Sequence, residues 1–141
     1  MAVAATAQST ESSSRGLHIA LWVVQVLLAV AFGMAGVMKT TTPIAVLAEK
    51  MAWVSSAGGL VRFIGASELA AAVGLILPSA TRIRPGLTPL AAAGLVLIMI
   101  LAMPVHIARG EFSALPINLA LGGLAAFVAW GRTRRAPILP R

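Results

Sequence analysis

Seven side chains set into an apolar sequence carry the chemistry this chain could do: Lys39, Arg62, Glu68, Met103, His106, Arg109 and Asn118. Glu68 and His106 form the candidate catalytic pair. A carboxyl and an imidazole suit general acid–base work, because burial favours the protonated carboxyl while a nearby cation favours the carboxylate. Asn118 would exchange a hydrogen bond with a ligand, Lys39, Arg62 and Arg109 would supply cations, and Met103 an apolar wall. The alternative is structural: Glu68 pairs with Arg62, Lys39 or His106 and holds helices together, a modest contribution in membranes. One His and one Glu on separate segments are too few for structural zinc, so no metal site is expected. No Walker, Rossmann, serine-nucleophile or metalloprotease motif is present.

The elements that must position these groups are apolar segments. Uncharged windows run from Leu17 to Met38, from Pro85 to Val105 and from Phe112 to Gly131, and Phe63 to Thr81 is broken only by Glu68. Each is long enough to cross roughly 30 Å of hydrocarbon at about 1.5 Å per residue. The expected architecture is all-α, a four-transmembrane-helix bundle. Its helices cover about 17–38, 60–77, 88–108 and 113–130 within a membrane domain of 17–131. The second helix is expected to end before Pro78, and the third to start with Thr88 as cap and Pro89 in its first turn. Residues 1–16 read as a disordered cytoplasmic tail and 132–141 as a basic one.

Between the first two spans, Ile44, Leu47, Met51 and Val54 recur at helical spacing, with Glu49 and Lys50 turned away. This predicts a short amphipathic helix in the interface, anchored by Trp53. Ala29, Gly33 and Gly36 form a small-residue face on the first span, suited to close helix contact. Gln25 lies deeper and alone, reading as a helix–helix hydrogen bond, and His18 as an ordinary interfacial residue.

Composition agrees. Of 141 residues, 59% are hydrophobic, and only eleven Lys/Arg and four Glu carry formal charge; ordinary globular chains are about a quarter charged. A water-soluble bundle would need polar helix faces, and these segments have none. The net charge of +7 flanks the apolar segments and forms no stripe with interleaved aromatics, which argues against nucleic acid as partner. With no Cys the chain holds no disulfide, thiol redox centre or Cys-ligated cofactor. His18 and His106 are predicted on opposite sides, which argues against haem held by both.

Four crossings put both termini on one side. That side carries Arg15, Arg82, Arg84, Arg132, Arg134, Arg135 and Arg141, against Lys39, Lys50, Arg62 and Arg109 on the other. Seven against four predicts cytoplasmic termini. Lys39, Glu68, His106 and Asn118 then arrive from four segments at overlapping depths near the outer leaflet. Glu68 lies six residues inward from Arg62, roughly 9 Å along the axis, and a carboxylate there must face the bundle interior or water.

The combination of GxxK at Gly36–Lys39, RFIGxxE at Arg62–Glu68 and HxxRGE at His106–Glu111, with the helix around Asn118, resembles the DoxX-like membrane family. The likeness covers roughly Leu17 to Arg132. It implies a four-helix protein of the bacterial plasma (inner) membrane, with Lys39, Arg62, Gly65, Glu68, His106 and Asn118 as characteristic positions. It also implies a link to membrane redox systems, including quinone-linked ones.

The leading expectation is therefore an accessory or quinone-linked component of a membrane oxidoreductase system. It would bind a lipophilic ligand, quinone being the candidate cofactor, near Glu68 and His106. Its partners would be the lipid bilayer, a membrane redox partner or a second copy in a homo-oligomer. Two rivals remain: a stand-alone membrane isomerase or hydrolase using Glu68 and His106, and a purely structural membrane subunit.

Overall fold

The fold follows from the need of apolar segments to satisfy every backbone group internally, which lipid enforces through helices. A computed structural model describes secondary structure from Ala2 to Arg141 and side-chain surroundings for residues 15–141. The expected disordered tail over 1–16 lies almost wholly outside the latter range. The chain runs α1 (Ala2–Thr41), α2 (Ile44–Lys50), a 3-10 turn (Ala52–Ser55), α3 (Gly58–Thr81), α4 (Leu87–Ala108), a second 3-10 turn (Phe112–Ala114) and α5 (Leu115–Trp130). A π turn (Gly131–Arg135) extends α5. The described residues contain no strand.

Four segments are long and apolar enough to cross a membrane: Arg15–Thr41, Gly58–Thr81, Leu87–Ala108 and Phe112–Arg135. At most 33% of any apolar window is buried within the bundle. Ile19, Leu27, Met34, Phe63, Leu90, Ile100 and Ile117 are among the many large apolar side chains left facing outward. Lipid is the solvent that makes this surface stable.

The interior is narrow. Leu28 and Phe32 of α1 pack with Ala71 and Leu75 of α3, Ala92, Leu95 and Met99 of α4, and Ala125 and Val128 of α5. Contact between α1 and α3 is closest where glycines face each other. A Cβ on Gly36 would stand 2.8 Å from the Gly65 carbonyl oxygen, and one on Gly65 would stand 2.7 Å from Lys39 Cβ. The expected small-residue face is thus the α1–α3 seam. The expected connector helix is α2, and Leu47, Val54 and Val61 form a separate small core beneath it, with Ile44, Met51 and Trp53 against them.

Pro78 does not end the second span. It lies buried inside α3, which continues to Thr81 and stops at Arg82 in the left-handed conformation (φ 59°). The physical reason is visible at Gly74, whose carbonyl would have accepted the N–H that Pro78 lacks. The Thr88 hydroxyl donates to that carbonyl at 3.1 Å and itself accepts from the Ser79 hydroxyl at 2.8 Å. Thr88 is accordingly no N-cap: it is fully buried in the first turn of α4, and its side chain repairs the neighbouring helix.

Candidate functional site

Ionisable side chains gather at both ends of the bundle. At the end away from the termini, α1 delivers Lys39 and α3 delivers Glu68, brought together by the Gly36–Gly65 seam just beside them. Lys39 Nζ donates to Glu68 Oε1 at 2.5 Å. Glu68 is only 3% exposed, and its second oxygen, Oε2, is buried without a hydrogen-bond partner. Arg62 does not touch the carboxylate. Its guanidinium donates to the carbonyls of Lys39 and Thr42 at 2.6 and 2.7 Å, closing the C-terminal turn of α1. Arg62 thus orients the backbone that carries Lys39.

Asn118 enters on the first turns of α5 and is buried, with its Nδ2 also unpartnered. One turn further, Gly122 brings α5 against Met99 of α4, where an added Cβ would lie 3.3 Å from Met99 Cβ. Met103 lies one turn beyond Met99 and is half-buried.

His106 stands apart from Glu68. Its Nδ1 lies 2.6 Å from Glu111 Oε2, and Arg109 Nε lies 3.7 Å from the other oxygen of the same carboxylate. The Arg109 guanidinium also sits 5.1 Å from the centre of the Trp53 ring, a cation–π contact that ties the α4–α5 turn to the connector after α1. Of the seven sequence candidates, Glu68 and Asn118 are buried, Lys39, Arg62 and Met103 are half-buried, only Lys39 and Glu68 are paired with each other, and His106 and Arg109 form a partly exposed rim. The rim's carboxylate, Glu111, reads in sequence as a solvated turn residue.

The opposite end holds a cluster that the sequence alone conceals. Gln25 is fully buried: its Nε2 donates to the Leu75 carbonyl at 2.6 Å, and its Oε1 accepts from Arg132 Nε at 2.6 Å. Arg132, expected in the basic tail, is 4% exposed. Its NH1 lies 3.1 Å from His18 Nδ1 and donates to the Ala136 carbonyl at 3.2 Å, while NH2 is buried without a partner. Its guanidinium stands 5.4 Å from the Trp22 ring centre. Beside it, Gly131 lies close against α1, where a Cβ would stand 2.5 Å from the Leu21 side chain. The only sequence signal was position: Arg132 follows an apolar run after a single Gly.

Among the described residues, no three His, Asp or Glu side chains gather as a metal site would require. Two concavities stand out among the described residues, and neither is lined by Lys39, Glu68 or Asn118. An apolar groove of about 530 Å³ lies between α3 and α4, along Ser67, Ala71, Gly74, Ala91 and Gly94. A smaller pocket of about 200 Å³ lies at the terminal end, beside His18 and Arg82.

Residues 23–128 match the sequence profile of the DoxX-like family. The chain belongs to the DoxX-like family. No curated protein and no solved structure matches it significantly. In this DoxX-like protein every candidate at the far end, from Lys39 to Asn118, lies within the matched stretch. Gln25 does as well, whereas His18, Trp22 and Arg132 lie outside it.

Proposed function

We propose that this membrane protein binds a lipophilic ligand with a polar head at Glu68 and Asn118, and that the head is of the quinone–quinol type. The observation that carries the reading is unused hydrogen-bonding capacity: Glu68 Oε2 and Asn118 Nδ2 are both buried and unpartnered. Leaving such groups unmade costs about 1–3 kcal/mol each, more when charged, so their retention favours a ligand that completes them. A quinol hydroxyl donates to a carboxylate oxygen, and a quinone carbonyl accepts from an amide N–H. The groove along Ser67, Ala71 and Gly74 between α3 and α4 is apolar, a course suited to an isoprenoid tail.

Lys39 holds one oxygen of Glu68 and leaves the other open to a hydrogen bond from the bound head. With no Cys in the chain, its part is binding and proton exchange beside a redox partner, in a bacterial inner membrane with cytoplasmic termini. A stand-alone acid–base enzyme has less support, because His106 is engaged with Glu111 and not with Glu68.

The test is quenching of Trp53 fluorescence by a short-chain ubiquinone, in a W22F/W130F background reconstituted in nanodiscs. Saturable quenching is expected, weakened about tenfold or more by E68Q or N118L in protein that keeps its melting temperature. Quenching that rises linearly without saturation, or that is equal in E68Q, N118L and the parent, rejects the reading.

A further inference from the structure

We infer that the terminal end of the bundle is a phosphate-binding site, formed by the pocket between His18, Trp22, Ser79, Arg82 and Ile138 and backed by buried Arg132. This site lies at the other end of the molecule from Glu68 and is independent of the function proposed above.

The first observation is an excess of donors. Trp22 brings one N–H and Arg132 five. The acceptors they meet are Gln25 Oε1, the Ala136 carbonyl and the His18 ring. Trp22 Nε1 lies 3.1 Å from His18 Nε2, and Arg132 NH1 lies 3.1 Å from His18 Nδ1. Both neighbours are donors only, whereas a neutral imidazole has one acceptor nitrogen. His18 therefore satisfies one of them at a time. Arg132 NH2, on a side chain 4% exposed, has no partner at all. A surplus of donors around His18, one of them buried on Arg132, favours an acceptor from outside the chain.

The second observation is uncompensated charge. Among the described residues, every salt bridge lies at the far end and involves Glu68 or Glu111; none reaches Arg82 or Arg132. A buried guanidinium without a carboxylate costs several kcal/mol unless an anion or several hydrogen bonds offset it. The third is the space itself. A cavity of about 200 Å³ opens where His18 and Trp22, two of the groups touching Arg132, face Ser79 and Arg82. The last residues of the chain fold back to close it: Ile138 lines the wall, and the Arg141 N–H reaches the Arg82 carbonyl at 3.3 Å.

An entering ligand must be an acceptor-rich anion, small at the point of contact. It must also sit where the apolar spans end, the level of the phosphates in a bilayer. A phosphate group meets each condition: its oxygens take the Arg82 guanidinium and the Trp22 N–H that His18 leaves free when it accepts from Arg132, and Arg132 supplies charge from behind His18 and Trp22. The source is either an anionic phospholipid headgroup or free phosphate.

The test uses the full-length protein in detergent micelles at 0.5 M NaCl, where diffuse attraction between surface charges is screened. Retention of phosphatidylglycerol is read by native mass spectrometry, and the melting temperature is read with and without millimolar inorganic phosphate. Arg82 is exposed on the pocket wall, so R82Q leaves the fold intact; R134Q removes the same charge outside the pocket. Phosphatidylglycerol retention is expected to fall about tenfold in R82Q, as for a lost charge-assisted hydrogen bond, and to stay within about twofold in R134Q. A phosphate-dependent rise in melting temperature that R82Q abolishes assigns the site to free phosphate; lipid retention without that rise assigns it to the headgroup. Equal losses in R82Q and R134Q overturn the proposal. So does a wild-type protein that neither retains phosphatidylglycerol above phosphatidylcholine nor responds to phosphate.

Discussion

The two ends of the bundle bury ionised groups in different ways. Away from the termini, Glu68 on α3 has its counter-charge in Lys39 on α1, held by a glycine seam that lets the helices approach until the two side chains meet. At the terminal end, Arg132 has no carboxylate partner among the described residues; a glutamine, a backbone carbonyl, a histidine and a tryptophan face share its donors. A charge matched by its opposite becomes costly when either partner is lost. A charge dispersed over neutral groups loses less on removal, because the unmatched charge leaves with it. The ends also differ in what they leave open: an acceptor and an amide donor at Glu68 and Asn118, and donors alone at Arg132.

This contrast predicts an order of effects. The largest belongs to K39M, which strands a buried carboxylate; stability in detergent should fall by about 3–5 kcal/mol, and K39M/E68L should recover most of that loss. A double variant as unstable as K39M alone would show that packing at the Gly36–Gly65 seam, not charge matching, governs this end. R132M should cost less, about 1–3 kcal/mol, since it leaves the Gln25 oxygen unpartnered but removes an unmatched charge. A larger loss for R132M than for K39M in reversible unfolding by sodium dodecyl sulfate would invert the comparison. The smallest effect is expected at the neutral tie of the terminal end. T88V frees the Gly74 carbonyl beneath Pro78 and should cost about 0.6–1.7 kcal/mol, the range of interhelical hydrogen bonds in membranes. If T88V instead shortens α3 measurably by amide exchange at Pro78–Thr81, this hydroxyl is what carries the helix past its proline.

The sequence alone determined the four spans, the connector helix, the small-residue seam and the family. These properties follow from runs of apolar residues and local spacing, which lipid reads one segment at a time. It also brought Lys39 and Glu68 to a shared level, because depth is rise per residue counted from a span's end. Tertiary structure decided the partners. Glu68 chose Lys39, and His106 chose Glu111 five residues on. Thr88 capped a carbonyl fourteen residues earlier, and Arg132 turned inward to Gln25, 107 residues away. Such choices depend on how helices are rotated about their axes and how closely glycines let them approach. Counting along the chain fixes height in the membrane but leaves azimuth open, and azimuth decides which polar atoms meet.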